Sequence, residues 1–274
     1  MVRRCFWARA LETPVHAAFL SRDKSVKEAL RADGIEAERF NGALLHEPGM
    51  PPVGPSDWVN PKTGDAVKPM TVAEIIEVQK HFASAARRLW IAGYDGVEIH
   101  AANGYLFQQF FTPRINQRTD HYGGSVENRM RFLLETVKRI QDAAPGFLVM
   151  VRFCVSEFIA NGYSQDEAIA LAQGLERTGV VALDLSGGSN ESPQTSKYCI
   201  QTPSFPRGCL APHAKPIKDA VSIPVFVAVP ATASSVAVAL VPTLNVFAAP
   251  SHAVVTNRLI ERIWLLAGMT MLVV

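Results

Sequence analysis

Two short stretches of the 274-residue sequence carry side chains suited to chemistry on a carbonyl compound. The first is His100-Ala101-Ala102-Asn103-Gly104-Tyr105, directly after the apolar run Gly96-Val97-Glu98-Ile99. An imidazole N–H and a carboxamide N–H three residues apart can both point at one carbonyl oxygen and stabilise negative charge developing there. The phenol of Tyr105 can deliver a proton as a general acid. The second stretch is Leu148-Val149-Met150-Val151-Arg152-Phe153, which ends on a fixed cation. A guanidinium placed there suits a delocalised anion or an electron-rich ring oxygen. Each residue also has a purely structural reading. His100 can be a satisfied strand-end histidine, Arg152 can pair with Asp184 or Glu98, and Tyr105 can be a packing residue. Both kinds of reading stand on spacing alone. Other chemistries lack their signatures: there is no GxSxG, no HExxH and no carboxylate pair set for glycoside hydrolysis.

The elements that must hold these residues alternate between helix and strand. Thr71 and Glu74 form a capping box, and Val72, Ile75, Ile76, Phe82, Ala86 and Leu89 continue a helical stripe to about Trp90, with Gly93 as its stop. Gly96 to His100 reads as a short buried strand. Ser125 can cap a helix whose apolar face is Val126, Met130, Leu133, Leu134, Val137 and Ile140. Leu148–Phe153 is a strand, Ser164 and Glu167 open a second capped helix to about Arg177, and Val180–Leu185 is a further strand closed by Ser186-Gly187-Gly188. Ile223–Val229 and Leu244–Ala248 are strand candidates, with a sixth around Ile35 to Leu45 and one early helix, Val26–Arg31. Strands each followed by a helix predict parallel βαβ units. No Gly-rich fingerprint opens any of the helices, which counts against a dinucleotide-binding doubly wound sheet and leaves a (β/α)₈ barrel of the TIM type. Eight strands close such a barrel, so the expectation is of an incomplete one, with its N-terminal strands missing and its last two atypical.

Composition narrows the functional classes. With 48% hydrophobic and 19% charged residues the chain can bury a core. Twenty-seven Lys and Arg against 25 Asp and Glu leave a net charge of +2 and no basic stripe, so nucleic acid is not an expected partner. Four dispersed cysteines (Cys5, Cys154, Cys199 and Cys209) make neither a zinc knuckle nor a disulfide framework. They point to a reducing, cytoplasmic compartment, the alternative being mitochondrial import through the Arg-rich, acid-poor start MVRRCFWARAL. Ala220 to Asn257 contains no charged residue, but Pro224, Pro230, Pro242 and Pro250 divide it into pieces too short to span a membrane as a helix.

The stretch from His100 to Phe132 reads HAANGYLFQQF, then NQRTDHYGGSVENRMRF from Asn116. This long pattern resembles the old yellow enzyme family, the FMN-dependent NADH:flavin oxidoreductases or ene-reductases. The similarity extends over the Pro69-Met70-Thr71 helix start, the GYDGVEIH strand, Val151-Arg152-Phe153 and Leu185-Ser186-Gly187-Gly188. It is best from about Pro69 to Glu191 and weaker over Gly34–Lys68 and Asn190–Pro224. The resemblance implies a barrel with FMN across its mouth, reduced by NADH or NADPH, and hydride passed to the C=C bond of an α,β-unsaturated carbonyl compound, an enone or enal. It implies that His100 and Asn103 grip the substrate carbonyl, that Tyr105 protonates the α-carbon, and that Arg152 faces the flavin pyrimidine. It casts Asp120, Glu127, Asn128, Arg129 and Arg131 as scaffolding.

Three departures accompany the resemblance. The family's first two flavin-contacting strands have no counterpart, and its third-strand Gln is Ala43 in Ala43-Leu44-Leu45-His46. The last two strands of the family end in phosphate-binding glycines and a Gly-Arg pair, whereas this chain has Val227-Ala228-Val229-Pro230 and Phe247-Ala248-Ala249-Pro250. Charged hydrogen bonds contribute about 1.5–3 kcal/mol each, so FMN affinity should fall by several kcal/mol. The domain expectation is a divergent segment over residues 1–33 and a partial FMN-oxidoreductase barrel over 34–274. The alternative function is a non-catalytic or weakly active truncated relative without tight FMN binding. Open barrel edges further predict a homo-oligomer.

Overall fold

The structure is a computed structural model that describes residues 52–230, except 62–63, 92–93, 200–205 and 207, with 228–230 and 244–249 described as backbone. The early helix, the strand around Ile35 to Leu45, the Gly93 stop and the Ala43–His46 match lie outside the described residues, as does Pro250.

The first described elements are three short strands: β1 (Val53–Gly54), β2 (Trp58–Val59) and β3 (Ala66–Pro69). They form a small sheet in the order β1-β3-β2, with β1 parallel and β2 antiparallel to β3. None was expected from the sequence; strands this short show too few residues for a period of two to emerge. Helix α1 (Val72–Ile91) follows. Its capping box forms as expected: the Thr71 N–H donates to Glu74 Oε2 at 2.7 Å, and the Glu74 N–H donates to Thr71 Oγ1 at 3.2 Å.

From here strand and helix alternate: β4 (Gly96–Ala101), α2 (Leu106–Phe111), α3 (Val126–Ala143), β5 (Leu148–Cys154), α4 (Gln165–Arg177), β6 (Ala182–Ser186), α5 (Pro193–Ser196), α6 (Ala211–Asp219), β7 (Val225–Pro230) and β8 (Leu244–Ala249). Ser125 caps α3 by accepting the Asn128 N–H, and the Ser164/Glu167 capping box opens α4. Three short helices, α2, α5 and α6, were not foreseen. α2 is six residues long, too short a window to reveal a period, α5 is four residues long, and α6 carries Pro216 inside it.

Strands β4 to β8 make one five-stranded sheet, every pair parallel, in the order β4-β5-β6-β7-β8. That order decides between the two parallel architectures. A doubly wound sheet reverses strand order at a switch point, whereas a (β/α)₈ barrel adds each strand beside the last. The sheet follows the barrel rule throughout.

Side chains alternate across this sheet with a period of two. Val97, Ile99, Val149, Val151, Phe153, Leu183, Leu185, Val225 and Val227 belong to the apolar core, together with buried residues of α1, α3, α4 and α6. Phe107, Phe110 and Phe132 pack within it, with ring centroids 4.7 Å apart in each pair made by Phe132. The opposite face carries Glu98, His100, Met150, Arg152, Asp184, Ser186 and Phe226. One surface of the sheet is therefore built for packing and the other for polar chemistry.

Candidate active site

The register of β4, β5 and β6 sets His100 opposite Arg152, and Arg152 opposite Asp184. Three ionisable side chains thus form one row near the carboxyl ends of their strands, where barrels of this type place reactive groups. Tyr105 returns over the row, and its ring centroid lies 5.0 Å from that of His100 at an interplanar angle of 57°. Tyr105 is also the residue that leads into α2, so a helix start fixes the position of the phenol.

Asn103 sits in the left-handed region at φ 61°, a conformation asparagine tolerates better than most residues. Its side chain is buried, and its amide donates to Gly187 O at 3.1 Å and Ser186 Oγ at 3.2 Å. The Cys154 thiol lies beside it, accepting from the Asn103 backbone N–H at 3.3 Å and donating to Gly188 O at 3.3 Å. Burial pushes that thiol far above the ordinary cysteine range, so it remains protonated. The sequence motif placed His100, Asn103 and Tyr105 together; the structure buries His100 and Asn103, leaves Tyr105 half-buried, and ties the Asn103 amide to the loop that follows β6.

Arg152 makes the ion pair that spacing had left open. Its Nη1 donates to Asp184 Oδ2 at 2.7 Å, and its Nη2 lies 3.4 Å from Ser186 Oγ. The Arg152 side chain remains 24% exposed while Asp184 is 7% exposed, so the guanidinium is the more accessible member of the pair.

Sequence reasoning missed the frame beneath these residues. Glu157, just past β5 and 1% exposed, accepts from Thr112 Oγ1 at 2.5 Å, from Arg114 Nη2 at 3.2 Å and from Gln108 Nε2 at 3.4 Å. Arg114 also reaches Glu191 at 2.8 Å. Gln108 accepts the Gly104 N–H at 3.2 Å and donates to Gly188 O at 3.2 Å. The Asn190 N–H donates to Asn103 O at 3.1 Å. This network ties the loops after β4, β5 and β6 into one body. A glutamine pair inside an otherwise apolar helix, Gln108-Gln109, was the available signal. Gly188 is fixed for a simpler reason: at φ 80° a Cβ would lie 2.2 Å from Thr195 O.

The RTDHYGGSVENR stretch has the scaffold role expected of it. Arg118 clamps Asp120 through Nε at 3.0 Å and Nη2 at 2.5 Å, and its Nη1 donates to Pro55 O at 2.9 Å. Arg129 binds Phe111 O and pairs with Glu167, while Arg131 donates to His121 O at 2.8 Å and to Asn128 Oδ1 at 2.8 Å. A Cβ at Gly123 would collide with Arg118 O at 2.2 Å.

The donor set fits the ring end of a flavin better than its phosphate end. Arg152 offers a partly open cation held in place from behind by Asp184. The ends of β7 and β8 offer no glycine and no arginine in residues 225–230 and 244–249, and Pro230 has no N–H to give. Among the described residues there is no cluster of His, Cys, Asp or Glu that could hold a metal ion, and no helix is long and apolar enough to cross a membrane.

A sheet of sequentially ordered parallel strands with its polar groups at the carboxyl ends defines an α/β protein of the (β/α)₈-barrel class. Within that class, the sequence model of the NADH:flavin oxidoreductase / NADH oxidase family matches residues 29–198. The chain belongs to this family. It is 37% identical over 216 residues to a metal reductase of Desulforamulus reducens, an alignment covering 76% of this chain and 31% of that protein. Among solved structures it is similar to a 2-naphthoyl-CoA reductase complex, with a TM-score of 0.62 and 27% identity over 75% of this chain and 34% of the other. It is also similar to the old yellow enzyme homologue from Zymomonas mobilis, with a TM-score of 0.53 and 28% identity over 67% of this chain and 52% of that one. The chain thus spans about a third to a half of the length of these proteins.

Proposed function

We propose that the chain is an FMN-dependent oxidoreductase that reduces the C=C bond of an α,β-unsaturated carbonyl compound with electrons from NADH or NADPH. The observation that carries this reading is the single row of His100 and Arg152 on adjacent strands, with the Tyr105 ring against His100. FMN, when bound, supplies the hydride.

Each side chain then has a physical task. Arg152 attracts the electron-rich pyrimidine side of the ring, and Asp184 behind it keeps the guanidinium from swinging away. His100 donates to the substrate carbonyl oxygen as negative charge gathers there, and the Asn103 amide joins it by exchanging its bond to Gly187 O. Tyr105 gives its proton to the α-carbon, with its ring orientation fixed by His100 and by the start of α2. The frame around Glu157 and Gln108 holds these groups at constant spacing, as a site needs in order to act on a transition state.

The test is direct. The chain is purified after expression with excess riboflavin, its visible spectrum is recorded, and FMN is titrated while flavin fluorescence is followed. The expected result is a flavin spectrum bleached by NADPH or NADH and restored by a simple enone. A colourless protein that does not quench FMN fluorescence at micromolar concentration overturns the reading, and the alternative of a non-catalytic relative takes its place.

A further inference from the structure

Glu98 is the acidic residue of the polar sheet face that the reading above leaves without a task. It lies on β4 two positions before His100 and therefore on the same side of the strand. It is 7% exposed, and its Oε2 is buried with no hydrogen-bond partner among the described residues. The ionisable groups around it are His100 on its own strand, Arg152 and Cys154 on β5, and Asp184 on β6; Met150, its direct register partner on β5, and Phe226 on β7 are apolar. Two carboxyls therefore face one guanidinium, and Asp184 already holds that guanidinium at 2.7 Å.

We propose that Glu98 is a proton-holding positioning residue: kept as the neutral acid, it leaves Arg152 neutralised by one carboxylate only, and its ionisation turns this end of the site net negative. An anion buried without a partner is far costlier than a neutral acid in the same place. Burial, then the Asp184 charge, raise the Glu98 carboxyl well above its ordinary range, and Arg152 only partly opposes them. Burial also raises Asp184, but its direct bond to Arg152 makes it the ionised member.

Two consequences follow. The folded chain binds a proton at Glu98 that the unfolded chain has released, so this residue makes stability fall as pH rises above the ordinary glutamate range. An anionic ligand near Arg152 binds more weakly once Glu98 ionises. At an effective dielectric near 20, one charge about 8 Å away changes affinity on the order of thirtyfold.

The experiment is an infrared titration of the full chain between pH 5 and 9, followed at the protonated-carboxyl stretch. The expected result is a band at pH 7 that shifts on ¹³C-glutamate labelling and vanishes in Glu98→Gln. The melting temperature of that variant should rise relative to wild type as the pH rises. Absence of a labelled band at pH 7, or its survival in Glu98→Gln, overturns the proposal. The isotope shift on unmutated protein keeps the test valid if the variant does not fold. The importance of Glu98 for Arg152 rests on the flavin reading, but the band is read without flavin. A colourless chain with the band therefore sinks only the flavin reading, and a flavin-bound chain without it sinks only this one.

Discussion

The two halves of the sheet's carboxyl edge are built differently. At β4, β5 and β6 every loop is tied to its neighbours by buried or half-buried side chains: Asn103 to Gly187, Gln108 to Gly188, Arg114 to both Glu157 and Glu191. At β7 and β8 the strands pair in perfect parallel register, yet their sequences VFVAVP and LNVFAA carry no charged side chain. The first half can orient a polar ligand, and the second supplies barrel wall. The skeleton of a barrel and the chemistry at its mouth are therefore separable, because ladder hydrogen bonds need only backbone while a site needs particular side chains.

The sharpest way to break this contrast is to remove the frame of the built half. Glu157→Ala leaves the Thr112 hydroxyl without its acceptor, removes one of the two acceptors of the Gln108 amide and strips Arg114 of one of its two carboxylates. Loss of one member of a buried ion network destabilises by about 3–5 kcal/mol. Urea denaturation followed by circular dichroism should show a loss of this size. A loss below about 1 kcal/mol, the range of surface pairs, would mean that the three loops are held by packing alone. His100→Ala comes next. Without the imidazole N–H, the rate of enone-dependent flavin reoxidation should fall by about a hundredfold or more, the usual effect of deleting one donor to a developing oxyanion. Flavin reduction by NADPH and the melting temperature should change far less. Equal losses in both half-reactions would assign His100 to the flavin and not to the carbonyl.

Much of this contrast was legible in the sequence, for physical reasons. Helices α1, α3 and α4 announced themselves through capping residues at fixed spacing, Thr71/Glu74, Ser125 and Ser164/Glu167, because a cap is a local hydrogen bond. Strands β4 to β6 showed as apolar runs since a parallel strand is covered on its packing face and half-covered on the other. The motif residues His100, Asn103, Tyr105 and Arg152 were readable as a set; their depths were not. Asn103 is tied to the β6 loop through Gly187, which lies 84 positions away in the chain, and no local pattern encodes that meeting. The same holds for Glu157, whose partners Thr112 and Arg114 precede it by more than 40 positions. The small sheet β1-β3-β2 was invisible since two-residue strands are defined only by their pairing.

The bare half can be tested by addition. Replacing Ala249 with Gly and Pro250 with Arg would supply a flexible backbone and a guanidinium at the end of β8, where the resembled family binds phosphate. One new charge-assisted hydrogen bond contributes about 1.5–3 kcal/mol, so FMN should bind roughly ten- to a hundredfold tighter in a fluorescence titration. Riboflavin, which lacks the phosphate, should bind the wild type and the double variant alike. An equal gain for both ligands would place the effect at the ring, and no gain for either would show that the missing clamp is not what limits affinity.

The smallest expected effect concerns Ser186, the hydroxyl shared by the two motif residues Asn103 and Arg152. Its Oγ accepts from Asn103 at 3.2 Å, an ordinary bond, and lies 3.4 Å from Arg152 Nη2, at the long limit. Ser186→Ala should therefore cost about 1 kcal/mol in stability, nearly all of it from the Asn103 contact. Because the Asn103 amide keeps Gly187 O at 3.1 Å, the side chain should stay in place, and the double variant Ser186→Ala/Asn103→Ala should be barely less stable at the hydroxyl than Asn103→Ala alone. If the serine substitution instead costs as much with Asn103 absent as with it present, then Arg152 is the partner that matters. Ser186 would in that case belong with Asp184 to the support behind the guanidinium, and the row from His100 to Asp184 would depend on β6 more than its single ion pair indicates.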